Sequence, residues 1–347
     1  MPLADISMHK LLVICGPTAT GKTGLALQLG KKFEASGPEG YGPVGEIISA
    51  DSRQVYKYMN IGTGKDLPHN SKFIIHNSKL GGYYKVGGVK IWGYDVVEPT
   101  DEFSVARYIK IAGKIIKDIW ERDKLPILAG GTGLYIKGVV DGIPTAVVPK
   151  NIALRESLGK RGVKELFEIL AEIDAVKAAS LNISDKKNPR RLVRAIEIAG
   201  SKLKVHNSKF RADVLFVGLT APKEVLYRNI EKRVEERLRK GIEEEIIKLL
   251  TAGVTWESQA MDSLGYRQWT PYSSYLLPRS TSSRRRSEST GQDVREKVIE
   301  EWKRAERQYA KRQITWFKKD KRINWFDIGA FNWQKSVEKL VRKWYKT

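Results

Sequence analysis

Apolar runs and amphipathic stretches alternate along the first half of the chain. "KLLVICG" (10–16), "GEIISAD" (45–51) and "KLPILAGG" (124–131) are short apolar segments. Each ends in glycine or a polar residue and is followed by a helix-like segment. That is the pattern of strands buried on both faces of a parallel sheet, with helices packed over it. "DVLFVGL" (213–219) offers one more such strand after a long interval. The interval holds "LRESLGKRGVKELFEILAEIDAVKAASL", where apolar residues recur at three-and-four spacing with almost no strand signal. The expected organisation is therefore an α/β core built from 1–146 and 211–347, with a small all-helical domain inserted at 147–210. After residue 222, "EVLYRNIEKRVEERLRKGIEEEIIKLLTAG" predicts a long amphipathic helix or a pair broken at Gly241. The Ser, Arg and Pro rich segment 271–292 reads as a loop.

Composition adds a partner to this frame. The 347 residues carry 62 Lys and Arg against 40 Asp and Glu, a formal charge of +22 that points to a polyanion such as nucleic acid. No apolar run approaches the ~18 residues of a bilayer span, and the first residues lack a secretory pattern. The single cysteine, Cys15, excludes an internal disulfide or a cysteine-based zinc site and suits a reducing cytoplasm. Within an apolar run, it reads as a small buried hydrophobe.

The strongest local signal is Gly16-Pro17-Thr18-Ala19-Thr20-Gly21-Lys22-Thr23, a phosphate-binding loop (P-loop) between an apolar strand and a helix-like segment. Glycines let backbone N–H groups crowd a phosphate, Lys22 adds charge, and the Thr23 hydroxyl can hold Mg²⁺. The pattern leaves ATP, GTP and diphosphate esters open. Asp51 stands at the end of a second strand, placed for a metal, for a proton, or for capping a turn. Gly130, Gly131 and Thr132 follow a third strand, where N–H groups and a hydroxyl could reach the same phosphates.

Seven ordered segments carry a more specific message: "GPTATGKT", "SADSRQVYKYMNIGTGK", "EFSVARY", "LAGGTGLYIKG", "NPRRLVRAIEI", "AMDSLGYRQW" and "RQYAKRQITWF". Together, from about residue 10 to 327, they resemble the tRNA dimethylallyltransferase family. The resemblance implies a P-loop NTPase-like sheet that holds dimethylallyl diphosphate. It implies transfer of the dimethylallyl group to N6 of the adenine beside the tRNA anticodon (position 37), with Mg²⁺ as cofactor. It makes Asp51 the general base, and gives Lys22, Thr23, Thr132 and Arg233 to the departing pyrophosphate. It assigns tRNA contacts to Asp51, Ser52, Arg53 and Gln54, to Arg155, and to Arg190, Arg191, Leu192, Val193 and Arg194. Gly265, Tyr266, Arg267 and Gln268 complete the set, with Tyr266 as a stacking face.

Between Trp302 and Arg322 nine residues are Lys or Arg. Their cations are assigned to RNA, and the interleaved aromatics to the core. The stretch after "GTGK" is longer than the family pattern and lacks its His-His pair. Arg284–Arg286 and the C-terminal tail are read as basic surface. A monomer is expected. A P-loop kinase of small metabolites, a non-catalytic RNA-binding protein and an isopentenyltransferase acting on free adenine nucleotides are the alternatives.

Overall fold

The computed structural model describes residues 9–32, 45–77, 80–201, 203, 211–276 and 288–347. The Arg284–Arg286 cluster lies outside the described residues. Among the described residues eight strands form one sheet: β1 Lys10–Cys15, β2 Gly45–Ser49, β3 Phe73–Asn77, β4 Gly81–Val86, β5 Val89–Trp92, β6 Leu125–Gly130, β7 Asp213–Thr220 and β8 Ile323–Asp327. Their order is β3-β4-β5-β2-β6-β1-β7-β8. The four strands read from apolar runs are the contiguous middle, β2-β6-β1-β7. Leu12 of β1 pairs in register with Ile127 on one side and Leu215 on the other. The six strands from β5 to β8 are parallel, and β3 and β4 extend that sheet antiparallel.

The pleat of β1 divides the core in two. Leu11, Val13 and Cys15 face one side, packed with residues of α2 (Val105–Glu121) and α3 (Gly133–Val140); Leu12 and Ile14 face α1 (Lys22–Lys32). All five are inaccessible to solvent, and burying each large aliphatic contributes roughly 1.5–3 kcal/mol. The Ser104 side chain caps α2 by accepting the N–H of Arg107 at 3.2 Å.

The chain divides into two compact units, Met1–Val140 with Phe210–Thr347, and Asp141–Lys209. The second is helical: α4 Ile152–Gly159, α5 Val163–Ile173, α6 Ala175–Ser180, α7 Ile183–Lys186 and α8 Pro189–Ala199. Its own core joins Leu158, Leu166, Leu170, Leu192 and Ile196. In the first unit, α9 (Lys223–Arg239) and α10 (Ile242–Thr251) are separated by Gly241, whose φ of 87° suits glycine alone at no steric cost. After α11 (Ser273–Leu276) comes the 30-residue α12 (Glu288–Phe317). Residues 271–276 and 288–292, read as loop, are helical, the former in a 3-10 turn and α11 and the latter at the start of α12, a correction that their Ser, Thr, Gly and Pro content did not signal. The tail forms α13 (Trp333–Lys346), whose Val337 and Val341 join the α1 face of the core. Among the described residues no helix is long and apolar enough to cross a membrane.

Candidate active site

The phosphate loop leaves the carboxyl end of β1 where its neighbours β6 and β7 lead to opposite halves of the sheet, the usual place for a ligand crevice in such sheets. Gly16 has φ 137°, and a Cβ there would lie 2.3 Å from the carbonyl oxygen of Leu219, so only glycine fits. Inside the loop the Thr20 hydroxyl donates to the Pro17 carbonyl at 2.9 Å, and Lys22 Nζ donates to the same oxygen at 2.5 Å. Lys22, Thr23 and Gly24 open α1, whose first N–H groups lack intrahelical acceptors.

The loop forms one wall of a cavity of about 720 Å³. Asp51, Ser52, Arg53 and Gln54, just beyond β2, form another. Asp51 Oδ1 accepts the N–H of Arg53 at 2.8 Å, which orients the carboxylate at the cavity wall. Gly130 and Gly131 close the wall from the end of β6. A Cβ on Gly130 would come within 2.2 Å of the Ala50 oxygen, so the absence of a side chain lets the two strand ends touch. Thr132 stands behind this wall; its N–H donates to Ala50 and its Oγ1 accepts the N–H of Ser52 at 3.1 Å.

Helices α9 and α12 complete the enclosure. Arg233 donates to Thr18 Oγ1 at 3.3 Å, to Gly64 O at 3.2 Å and to Asp66 at 2.9 Å. Arg237, one turn on, is buried and paired with Glu306 of α12 at 2.9 Å. Glu306, Tyr309 and Gln313 are all in the cavity wall, at the i, i+3, i+7 spacing of one helix face. Gln313 Oε1 accepts the N–H of Thr18, and Tyr309 is hydrogen-bonded to Thr132.

Eight basic side chains line the cavity against five acidic ones, the balance of an anion site. Burial and the nearby Arg233 lower the Lys22 ammonium to about 8, with Asp51 opposing them. Among the described residues no three His, Cys, Asp or Glu side chains cluster to hold a metal by themselves. The Thr23 hydroxyl, in the cavity wall, is an oxygen donor of the kind a hard cation such as Mg²⁺ would take.

The expected RNA contacts divide into three groups. Arg53 and Arg267 line the cavity and approach Asp262, at 3.7 and 3.5 Å. Arg190 and Arg191 are exposed on α8, Arg191 paired with Asp185, and Val193 is half-buried. Asp51 and Ser52 line the same cavity, and the others are engaged within the protein. Arg155 makes a two-pronged pair with Glu197 at 2.9 and 2.8 Å, and Arg194 joins it while donating to the Thr145 and Val148 carbonyls. Hydrogen bonds from Arg155 outweigh the cost of burial and hold Glu197 at about 2.

Tyr266 is corrected as a stacking face: it is fully buried, its hydroxyl donating to Glu245 at 2.5 Å. Leu192 lies in the helical core, and Gln268 is buried, accepting the N–H of Gly265 at 2.8 Å. Gln54, also buried, accepts from Ser49 and donates to Gly64 O at 2.9 Å. On α12, Trp302 and Phe317 are core, whereas Trp316 is 43% exposed and Tyr309 half-buried at the cavity.

Three residues escaped the sequence reading. Glu245 gathers the N–H groups of Asn60, Ile61 and Gly62 at 2.8–3.1 Å and so shapes the turn under the cavity. Lys65, buried, is bound to Asp95, Tyr56 O and Asn60. Gln313 links two loops. An acidic first turn and a polar residue in a basic helix look ordinary in sequence; only the spacing 306, 309, 313 hints at a shared face.

Residues 54–320 match the family model described as IPP transferase. A tRNA dimethylallyltransferase from Carboxydothermus hydrogenoformans is 35% identical, covering 96% of each chain. One from Halothermothrix orenii is 36% identical over 96% of this chain and 92% of its own. Among solved structures, a tRNA isopentenylpyrophosphate transferase from Bacillus halodurans is 30% identical, covers 97% of each chain and superposes with a TM-score of 0.64. A eukaryotic dimethylallyltransferase acting on tRNA, at 24% identity and TM-score 0.68, shares the fold.

Proposed function

This chain belongs to the IPP transferase family, and on that premise we propose how its cavity transfers a dimethylallyl group from dimethylallyl diphosphate to N6 of the adenine beside the anticodon of tRNA. The observation that carries the reading is one cavity lined by the phosphate loop, Arg233 and Asp51. The phosphate loop N–H groups, Lys22 and Arg233 bind the diphosphate. Adenine N6 attacks the allylic carbon, the carbon–oxygen bond to the diphosphate breaks, and the N6 proton passes to Asp51. Pyrophosphate leaves with the bonding electrons. Charge grows on the leaving oxygens in the transition state, so donors fixed there accelerate the step rather than merely tightening binding.

When bound, Mg²⁺ would neutralise charge on the diphosphate, held on the protein side by Thr23. Thr132 supports this site as a brace between the Asp51 loop and Tyr309. Arg53 and Arg267 at the cavity, and Arg190 and Arg191 on the helical unit, are assigned to RNA phosphates. To enter a cavity of this kind, an adenine must be flipped from the anticodon-loop stack. Action as a cytoplasmic monomer belongs to the same proposal, and sedimentation with and without tRNA tests the monomer.

The direct experiment combines protein, Mg²⁺, dimethylallyl diphosphate and unmodified tRNA, followed by mass spectrometry of the digested nucleosides. N6-isopentenyladenosine is the expected product. ATP consumption without that product would favour the kinase, and modification of free AMP in preference to tRNA would favour the nucleotide enzyme.

A further inference from the structure

Thr18 and Gly131 belong to loops that leave different strands, β1 and β6, yet one side chain satisfies both. The Gln313 carboxamide accepts the Thr18 N–H at 2.8 Å through Oε1 and donates to the Gly131 carbonyl at 2.9 Å through Nε2. Its residue is only 5% exposed. A Cβ on Gly131 would lie 2.1 Å from Nε2, so the glycine makes room for the bridge. The helix that carries Gln313 is itself anchored two turns earlier, where Glu306 receives Arg237.

A carboxamide offers donor and acceptor on one planar group, matching an N–H on one loop and a C=O on the other. Leucine would fill the space and leave both backbone groups without partners. Glutamate would keep the acceptor for Thr18 but set an oxygen against the Gly131 carbonyl.

We propose that Gln313 is a positioning residue for group transfer, fixing the separation between the phosphate loop and the Gly130–Thr132 turn. The inference rests on the transfer reading above. The phosphate loop sets where the diphosphate lies, and the turn braces Ser52, the residue after Asp51. Gln313 thereby controls the alignment of leaving group and base without touching the reacting atoms.

The test compares full-length wild type with Gln313→Leu and Gln313→Glu. Inorganic pyrophosphate with Mg²⁺ is titrated calorimetrically in the absence of RNA, and kcat and the KM for tRNA are measured separately. For Gln313→Leu, pyrophosphate affinity should fall about tenfold and kcat about thirtyfold, with the KM for tRNA within about twofold of wild type. Gln313→Glu should also lower kcat with the KM for tRNA again within about twofold, and should weaken pyrophosphate further because its carboxylate adds negative charge to the anion site; weaker binding per folded molecule is what general loss of stability would not produce. Should Gln313→Leu fail to fold, the glutamate variant alone decides. A raised KM for tRNA with intact pyrophosphate affinity and kcat would make Gln313 an RNA contact and overturn the proposal, as would wild-type values throughout. Failure of the transfer reading is separate: wild type would bind pyrophosphate and yield no isopentenyladenosine.

Discussion

Thr132 Oγ1 accepts the backbone N–H of Ser52 at 3.1 Å, so the turn after β6 holds the residue next to Asp51. Removing that acceptor leaves a backbone donor unpaired, a loss of about 1–3 kcal/mol. Thr132→Val should reduce kcat about tenfold or more, whereas Thr132→Ser, which keeps the oxygen, should stay within a few-fold of wild type. Steady-state kinetics on the two variants, normalised to folded protein, distinguishes a hydroxyl effect from a volume effect.

Asp51→Asn preserves shape and removes the proton acceptor proposed above. Loss of a positioned base costs roughly 10²–10⁴ in rate, and single-turnover transfer to tRNA should show it. Diphosphate affinity, read by calorimetry, should hold or tighten slightly, because a carboxylate near Lys22 has gone. Equal losses in both quantities would remove Asp51 from the proton step.

The Lys22 ammonium is lowered to about 8 by burial and Arg233. Its cationic form predominates below that pH, and deprotonation above it removes charge from the anion site. Dimethylallyl diphosphate should therefore bind progressively more weakly as pH rises through 8. Binding stabilises the ammonium, so calorimetry near pH 8.5 in buffers of different ionisation enthalpy should also show proton uptake. Lys22→Arg, charged throughout this range, should lose the inflection.

Acid sensitivity has a separate origin, at the opposite end of β2. Glu46 is fully buried; burial opposes its ionisation, but hydrogen bonds from Arg122 at 2.5 and 2.9 Å and from Trp92 at 2.9 Å prevail and hold it at about 2. With the folded value below the ordinary glutamate value of 4.5 kept by the unfolded chain, the stabilisation is present above pH 4.5 and is lost as pH falls towards 2. Linkage sets it at about 3 kcal/mol. Glu46→Gln should unfold at lower urea concentration at pH 7, and the gap from wild type should shrink below pH 4.5 and close as pH falls through about 2.

What the chain discloses in sequence depends on burial. The runs of β1, β2, β6 and β7 are apolar because both faces of the strand are covered, so they stand out, and the phosphate loop follows the first. β3 to β5 do not: "YYKVGGVKIW" mixes Tyr and Lys along partly exposed strands, and only the Gly87-Gly88 pair, both at positive φ, marks a hairpin. β8, "INWFD", is short and half-open at the sheet edge. At the site, the residue types that carry chemistry were readable from motif spacing. Which members of a motif face inward was not: Tyr266 and Arg267 are neighbours, one fully buried and one exposed. That choice is made by packing partners such as Glu245, remote in sequence.

The wall formed by α12 also limits how this protein can vary. Glu306, Tyr309 and Gln313 meet Arg237, Thr132 and the phosphate loop from one straight helix. Each residue turns an α-helix by about 100°. A one-codon insertion between Glu306 and Gln313 would swing one anchor out of phase with the others, even if every side chain were retained. Exchanges at the exposed positions Gln308, Lys311 and Arg312 leave that phase intact. The spacing of the three anchors thus constrains the length of this stretch independently of which residues fill its exposed positions.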